Sequence, residues 1–144
     1  MKMHHIGYAV VDIEKARKFY ERLGFEVSKR VGNQHVQFDT ERNIKILFME
    51  NGFDDVMVEL VETLDPESPS PLDFIMKGNN KKYSNGIPYH ICYEVEDIDK
   101  VTEELRKKQF IVINPKAPTT EVLYHKHVTF LYQRAIGIIE LIEK

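Results

Sequence analysis

The chain has 144 residues, enough for one domain that buries roughly two-thirds of its unfolded surface. With 42% hydrophobic residues, 30% charged residues and a net charge of -3, it reads as an ordinary soluble globule without a basic footprint for nucleic acid or an anionic membrane. Its single cysteine, Cys92, excludes an internal disulfide, and Asp12, Glu14, Lys15, Arg17 and Lys18 argue against a signal peptide or spanning helix near the start, so a cytoplasmic protein is expected.

Residues 4–11 are rich in Ile, Tyr and Val at alternate positions, which predicts a strand. Asp12 then stands as a helix N-cap, and Ile13, Ala16, Phe19, Tyr20 and Leu23 recur at helical spacing up to Gly24. Strands are predicted at 25–31, 35–38, 44–49 and 56–62, so the first half reads as a βαβββ module. Residues 65–88 break the rhythm with Pro66, Pro69, Pro71, Gly78, Asn79, Asn80, Gly86 and Pro88 around a short amphipathic piece at 71–76. Such a long connector is either a wrap-around linker or a lid or edge of a pocket. The pattern then restarts with a strand at 89–95, Asp97 as cap, and Ile98, Val101 and Leu105 on a helix face. A strand at 110–113, a loop at 114–120 carrying Pro115 and Pro118, and strands at 128–131 and 138–143 complete it.

The two halves repeat each other. His5, Ile6, Tyr8 and Val10 match His90, Ile91, Tyr93 and Val95, and each run leads into Asp-Ile and a charged helix. Near the end of each half, Glu59 lies between Val58 and Leu60, and Glu140 between Ile139 and Leu141. Side chains alternate along a strand, so the bulky set packs on the helices while His5, Gly7 and Ala9 face the other way. The same alternation gives that face His90, Cys92 and Glu94, and withholds it from Tyr89, Ile91 and Tyr93. A lone strand histidine is usually just hydrogen-bonded, and a glutamate between apolar residues is usually solvated. One His and one Glu at equivalent places in both repeats instead predict four groups on one concave surface. Two imidazoles and two carboxylates suit one divalent Ni, Co, Mn, Fe or Zn ion better than Ca.

On these motifs the chain resembles the vicinal oxygen chelate (glyoxalase/bleomycin-resistance/dioxygenase) superfamily, especially its bacterial glyoxalase I and methylmalonyl-CoA epimerase branches. The resemblance implies an α+β fold in which two βαβββ modules pair into one cupped mixed sheet with helices on the outer face. It spans a single domain, 1–144, with module one at about 1–64, the connector at about 65–88 and module two at about 89–144. It implies a metal site of His5, Glu59, His90 and Glu140, with Glu140 as the catalytic base and Glu59 as a ligand that also shuttles a proton. The expected activity is a metal-dependent lyase or isomerase of glyoxalase I type, which removes a proton beside a metal-bound carbonyl through an enediolate. An acyl-CoA epimerase of methylmalonyl-CoA type is the alternative; a dioxygenase or a non-catalytic binding protein stands further off. The expected partner is a small thiol hemithioacetal or acyl-CoA, without nucleic acid or membrane, in a homodimer with the site inside one chain.

Several residues remain beside that set. Glu41 is similar in position to a second acid/base of the epimerases, although an exposed turn is the simpler expectation. Lys77, Lys81, Lys82 and Lys126 are candidates for a CoA phosphate, against ordinary solvated lysines. His35, His125 and His127 are expected at the surface, with a cavity role weighed for His127, and Cys92 is expected as a small buried filler.

Overall fold

Alternating Ile, Tyr and Val open each half of the chain as a strand, and the two strands lie side by side at the centre of one sheet. The computed structural model describes residues 1–76 and 86–144. Its elements in chain order are β1 (Lys2–Ala9), α1 (Ile13–Arg22), β2 (Glu26–Val27), β3 (Gln37–Asp39), β4 (Ile44–Glu50) and β5 (Met57–Thr63). They continue with α2 (Asp73–Met76), β6 (Ile87–Val95), α3 (Ile98–Arg106), β7 (Ile111–Pro118), a 3-10 turn at Glu121–Leu123, β8 (His127–Gln133) and β9 (Gly137–Glu143). The sheet runs β2-β4-β5-β1-β6-β9-β8-β7, with β3 also on β4. Within each half the first strand is parallel to the last, β1 to β5 and β6 to β9, while β1 and β6 pair antiparallel. That is the expected α+β arrangement of two similar modules about a shared centre.

Both helices start where the sequence places a capping aspartate. Asp12 Oδ1 accepts from the Lys15 backbone N–H at 3.0 Å, and Asp97 Oδ1 from that of Lys100 at 2.9 Å. Helix α1 lays Ile13, Ala16 and Tyr20 over Leu47, Met49 and Leu60. Helix α3 lays Ile98, Val101 and Leu105 over Leu131, Ile139 and Leu141. Burial of each such side chain stabilises the fold by about 1.5–3 kcal/mol, which fixes the outer face. Because strand side chains alternate, the opposite face receives Ile44, Ile46, Phe48, Val61, Val128 and Ile142.

Three expectations change. The strand at 25–31 shrinks to β2, because the segment that follows is held by side chains: the buried Ser28 hydroxyl donates to Glu50 Oε2, and Arg30 Nε donates to the same oxygen at 2.8 Å. The predicted loop at 114–120 is largely strand β7. Proline is tolerated there because β7 is the last strand of the sheet and its pairing with β8 shifts register around Asn114. Finally, the face rule fails at two bulges. Met3 pairs with Tyr93 and His5 with Cys92, leaving His4 as an extra residue on β1. Gly7 pairs with His90 and Tyr8 with Pro88, leaving Tyr89 as an extra residue on β6. Each bulge lies just before a site histidine, and it turns His4 and Tyr89 toward that histidine's ring.

The connector does contribute to the interior, since Leu72 is fully buried in the core and Pro71 lines the cavity described below. Asn43 Nδ2 ties down its start by donating to the carbonyls of Asp65, Ser68 and Pro69. Lys77, Lys81 and Lys82, with Gly78, Asn79 and Asn80, lie outside the described residues.

Candidate metal centre

Four polar side chains sit where the fold is most apolar. His5 on β1, Glu59 on β5, His90 on β6 and Glu140 on β9 are 0%, 6%, 4% and 4% exposed, so burial without a purpose would be costly. Their atoms converge. His5 Nε2 and His90 Nε2 are 3.0 Å apart, and each is 3.0 Å from Glu140 Oε2. Glu59 Oε1 completes the group at 3.6 Å from His90 Nε2 and 3.9 Å from His5 Nε2. All four positions expected from the sequence therefore meet within one chain.

The tight triangle has the spacing of metal ligands. Adjacent ligands at right angles, about 2.1 Å from an ion, stand about 3.0 Å apart. Glu140 Oε2 reaches both imidazoles at that distance yet makes no hydrogen bond of proper geometry among the described residues, which leaves it available as a ligand atom. The donor set thus fits a divalent ion. Aromatic rings wall it symmetrically: Phe48 stands edge-on to His5 at 5.1 Å between ring centroids, and Phe130 to His90 at 5.3 Å. Phe48 pairs with Glu59 and Phe130 with Glu140 in the sheet, so these walls belong to the repeat as well.

Electrostatics separate the two carboxylates. Burial and the neighbouring Glu140 charge push the Glu59 carboxyl up to about 8, despite the pull of His90. Burial also works against the Glu140 charge, but its close contacts with the His5 and His90 imidazoles outweigh it and hold this carboxyl far below the usual range. The imidazoles diverge likewise. Burial lowers His5 against the attraction of Glu140, whereas at His90 the opposing attractions of Glu140 and Glu59 overcome burial and raise it.

Glu59, His90 and Glu140, though not His5, line a cavity of about 230 Å³ whose walls are mostly apolar, among them Ile44, Ile46, Val61, Val128 and Phe130. Arg42 and Asp39 face into it as a pair, with Arg42 Nη1 3.0 Å from Asp39 Oδ2 and Nη2 donating to the Pro118 carbonyl at 2.8 Å. Glu41, the sequence candidate beside them, is exposed and does not line this cavity. His35 and His125 are exposed, and His127 contacts Glu143 at 2.9 Å rather than the cavity. Lys126 is likewise away from the lining, and Cys92 is a fully buried core residue. Tyr89, which strict alternation assigned to the other face, lines the cavity with its ring 4.6 Å from that of His90.

Gly7 is a site residue with no assigned role in the sequence reading. A methyl group there would stand 2.8 Å from His90 Nε2 and nearer still to Cε1, so the His90 ring occupies the space of the missing side chain. A glycine within a strand pattern was the available signal, because it marks close approach by another group.

Residues 4–130 match the model of the glyoxalase/bleomycin resistance protein/dioxygenase superfamily, and the chain belongs to that superfamily. Within it, the chain is similar to mitochondrial methylmalonyl-CoA epimerase of Homo sapiens, with 30% identity over 97% of this chain and 72% of the relative. The corresponding protein of Bos taurus is 29% identical over 97% of this chain and 73% of the relative. The fold is also that of a Streptomyces coelicolor methylmalonyl-CoA epimerase variant in complex with 2-nitronate-propionyl-CoA, at a TM-score of 0.75 and 19% identity, covering 100% of this chain and 97% of that one. No helix among the described residues is long and apolar enough to cross a membrane.

Proposed function

We propose that this protein is an acyl-CoA epimerase, an isomerase that inverts a carbon beside a thioester carbonyl, with a methylmalonyl-CoA-type substrate. Its similarity to proteins of that name over 97% of the chain carries the reading, and gives it preference over the glyoxalase-type lyase suggested by the sequence motifs. The mostly apolar cavity suits a short branched acyl group.

In this reading His5, His90, Glu140 and Glu59 hold one divalent ion. When bound, such an ion supplies Lewis acidity to the substrate oxygen next to the reacting C–H bond. The chain's own contribution is a pair of carboxylates with opposite tendencies. Glu140, ionised, takes the proton, and Glu59, the looser member at 3.6–3.9 Å from the imidazole nitrogens, holds and returns one. Inversion requires delivery to the other face of the carbon, and the two residues approach the centre from different modules, on β9 and β5. Asp39 is engaged by Arg42 and Glu41 is exposed, which leaves Glu59 as the partner of Glu140. The walls of Phe48, Tyr89 and Phe130 exclude water from the transferred proton. The reading includes one domain over 1–144, a homodimer and a reducing, cytoplasmic setting consistent with free, buried Cys92.

The test is solvent exchange. In deuterium oxide the metal-loaded protein should place deuterium at C2 of methylmalonyl-CoA, and Glu140→Gln should slow this by at least about a hundredfold. Turnover of methylglyoxal with glutathione or another thiol, without exchange into methylmalonyl-CoA, would establish the lyase instead.

A further inference from the structure

The site histidines are unequally supported. His90 Nδ1 has no hydrogen-bond partner among the described residues, and its ring is held by packing on Gly7, Tyr89 and Phe130. His5 has a partner: its Nδ1 lies 2.8 Å from Nδ1 of His4. Adjacent residues of a regular strand point to opposite faces, so this contact exists only because β1 bulges at His4. We infer that His4 is the positioning residue for the metal ligand His5, accepting the His5 Nδ1–H so that Nε2 is left unprotonated toward the centre.

The proton count leads to that orientation. Two ring nitrogens at hydrogen-bond distance need one donor and one acceptor. At its other end, His5 Nε2 stands 3.0 Å from His90 Nε2 and from Glu140 Oε2, where a ligand must present a lone pair. With an ion at the centre Nε2 cannot also carry the proton, so the His5 proton sits on Nδ1 and His4 is the acceptor. The ring is otherwise enclosed by Phe48 and the core, so an Nδ1–H without His4 would be buried and unpaired. Relief would come from moving the proton to Nε2, the tautomer that cannot bind a metal. A ligand imidazole fixed through its other nitrogen is the usual way to set tautomer and ring angle, and loss of such a partner costs about 10–100-fold in metal affinity.

Resting on the metal-centre reading above, the inference has its own test. Cobalt affinity is measured by chelator competition for the natural protein and for His4→Phe, His4→Asn, His90→Ala and Glu140→Gln. His4→Phe keeps the bulk and removes the acceptor; it should weaken binding by about 10–100-fold, whereas His4→Asn, with an acceptor oxygen near the Nδ1 position, should restore it to within about threefold. Equal binding by His4→Phe and the natural protein, while His90→Ala and Glu140→Gln lose the metal, overturns the role of His4 alone. Undiminished binding by His90→Ala and Glu140→Gln overturns the metal centre itself. Nitrogen-15 spectra of the zinc-loaded natural protein give a readout independent of any variant's folding: an Nδ1–H on His5 facing an unprotonated His4 Nδ1 supports the inference, and a proton on His4 Nδ1 overturns it.

Discussion

At the residue scale, the site depends on one hydrogen atom as much as on its four ligands. The His90 ring lies where the Cβ of any other residue 7 would stand. Gly7→Ala must therefore displace the ring or open the β1–β6 pairing, because backbone and ring both lack room to yield. We expect a loss of about 1–3 kcal/mol in stability and at least a tenfold loss in metal affinity. Chemical denaturation and chelator competition on the same preparation check both; an alanine variant that binds metal normally would show that His90 is not fixed by this contact. Tyr89 marks the limit of reading residues singly. Its identity was visible beside His90, but its face was not, because an extra residue in a strand reverses the alternation from which faces are inferred.

At the element scale, the repeat in the sequence became a repeat in packing wherever hydrophobic periodicity decided it. Helices α1 and α3, their aspartate caps and the acidic strands β5 and β9 occupy equivalent places. The modules diverge at their outer edges, where β7 is continuous and the corresponding stretch of module one is split into β2 and β3. Ser28, Arg30 and Glu50 hold that split together, and their hydrogen bonds keep the Glu50 carboxyl below its usual range although burial opposes its charge. A carboxyl depressed in the folded state stabilises the fold above its unfolded value near about 4.3, and that contribution fades as pH falls through the lower folded value. Glu50→Gln should thus cost about 1–3 kcal/mol at pH 7 and progressively less below about pH 4, seen by comparing urea midpoints across that range. A pH-independent difference would place the loss in packing rather than in charge.

At the scale of the whole molecule, the centre joins the modules, with His5 and Glu59 from one and His90 and Glu140 from the other. An ion bound there acts across the β1–β6 seam and stabilises only the assembled fold, by about 4 kcal/mol at a thousand times its dissociation constant. The metal-free protein should have the opposite trend with pH. Burial raises Glu59 to about 8, so the stability associated with its protonated form is complete below about pH 4.3 and is lost as pH rises through 8. His90, also raised, loses its contribution in the same direction above about pH 6.5. The melting temperature of chelator-treated protein should fall between pH 6.5 and 8.5 while the metal-loaded protein changes less, so the gap widens. Calorimetry on both forms measures it, and a constant gap would mean that Glu59 does not exchange a proton for the ion.

The duplicated module, the helix caps, the face carrying each glutamate and the four candidate ligands are all legible in the amino-acid order. Each follows from local periodicity, and a repeat tests periodicity twice within one chain. The finish of the site emerges on folding: the His4 contact with His5, the Tyr89 edge on His90, the His90 ring over Gly7 and the exclusion of Glu41 from the cavity. The physical reason is register. Alternation within a strand is encoded locally, but a bulge arises from the mismatch between two strands far apart in sequence, and β1 meets β6 only when the modules close.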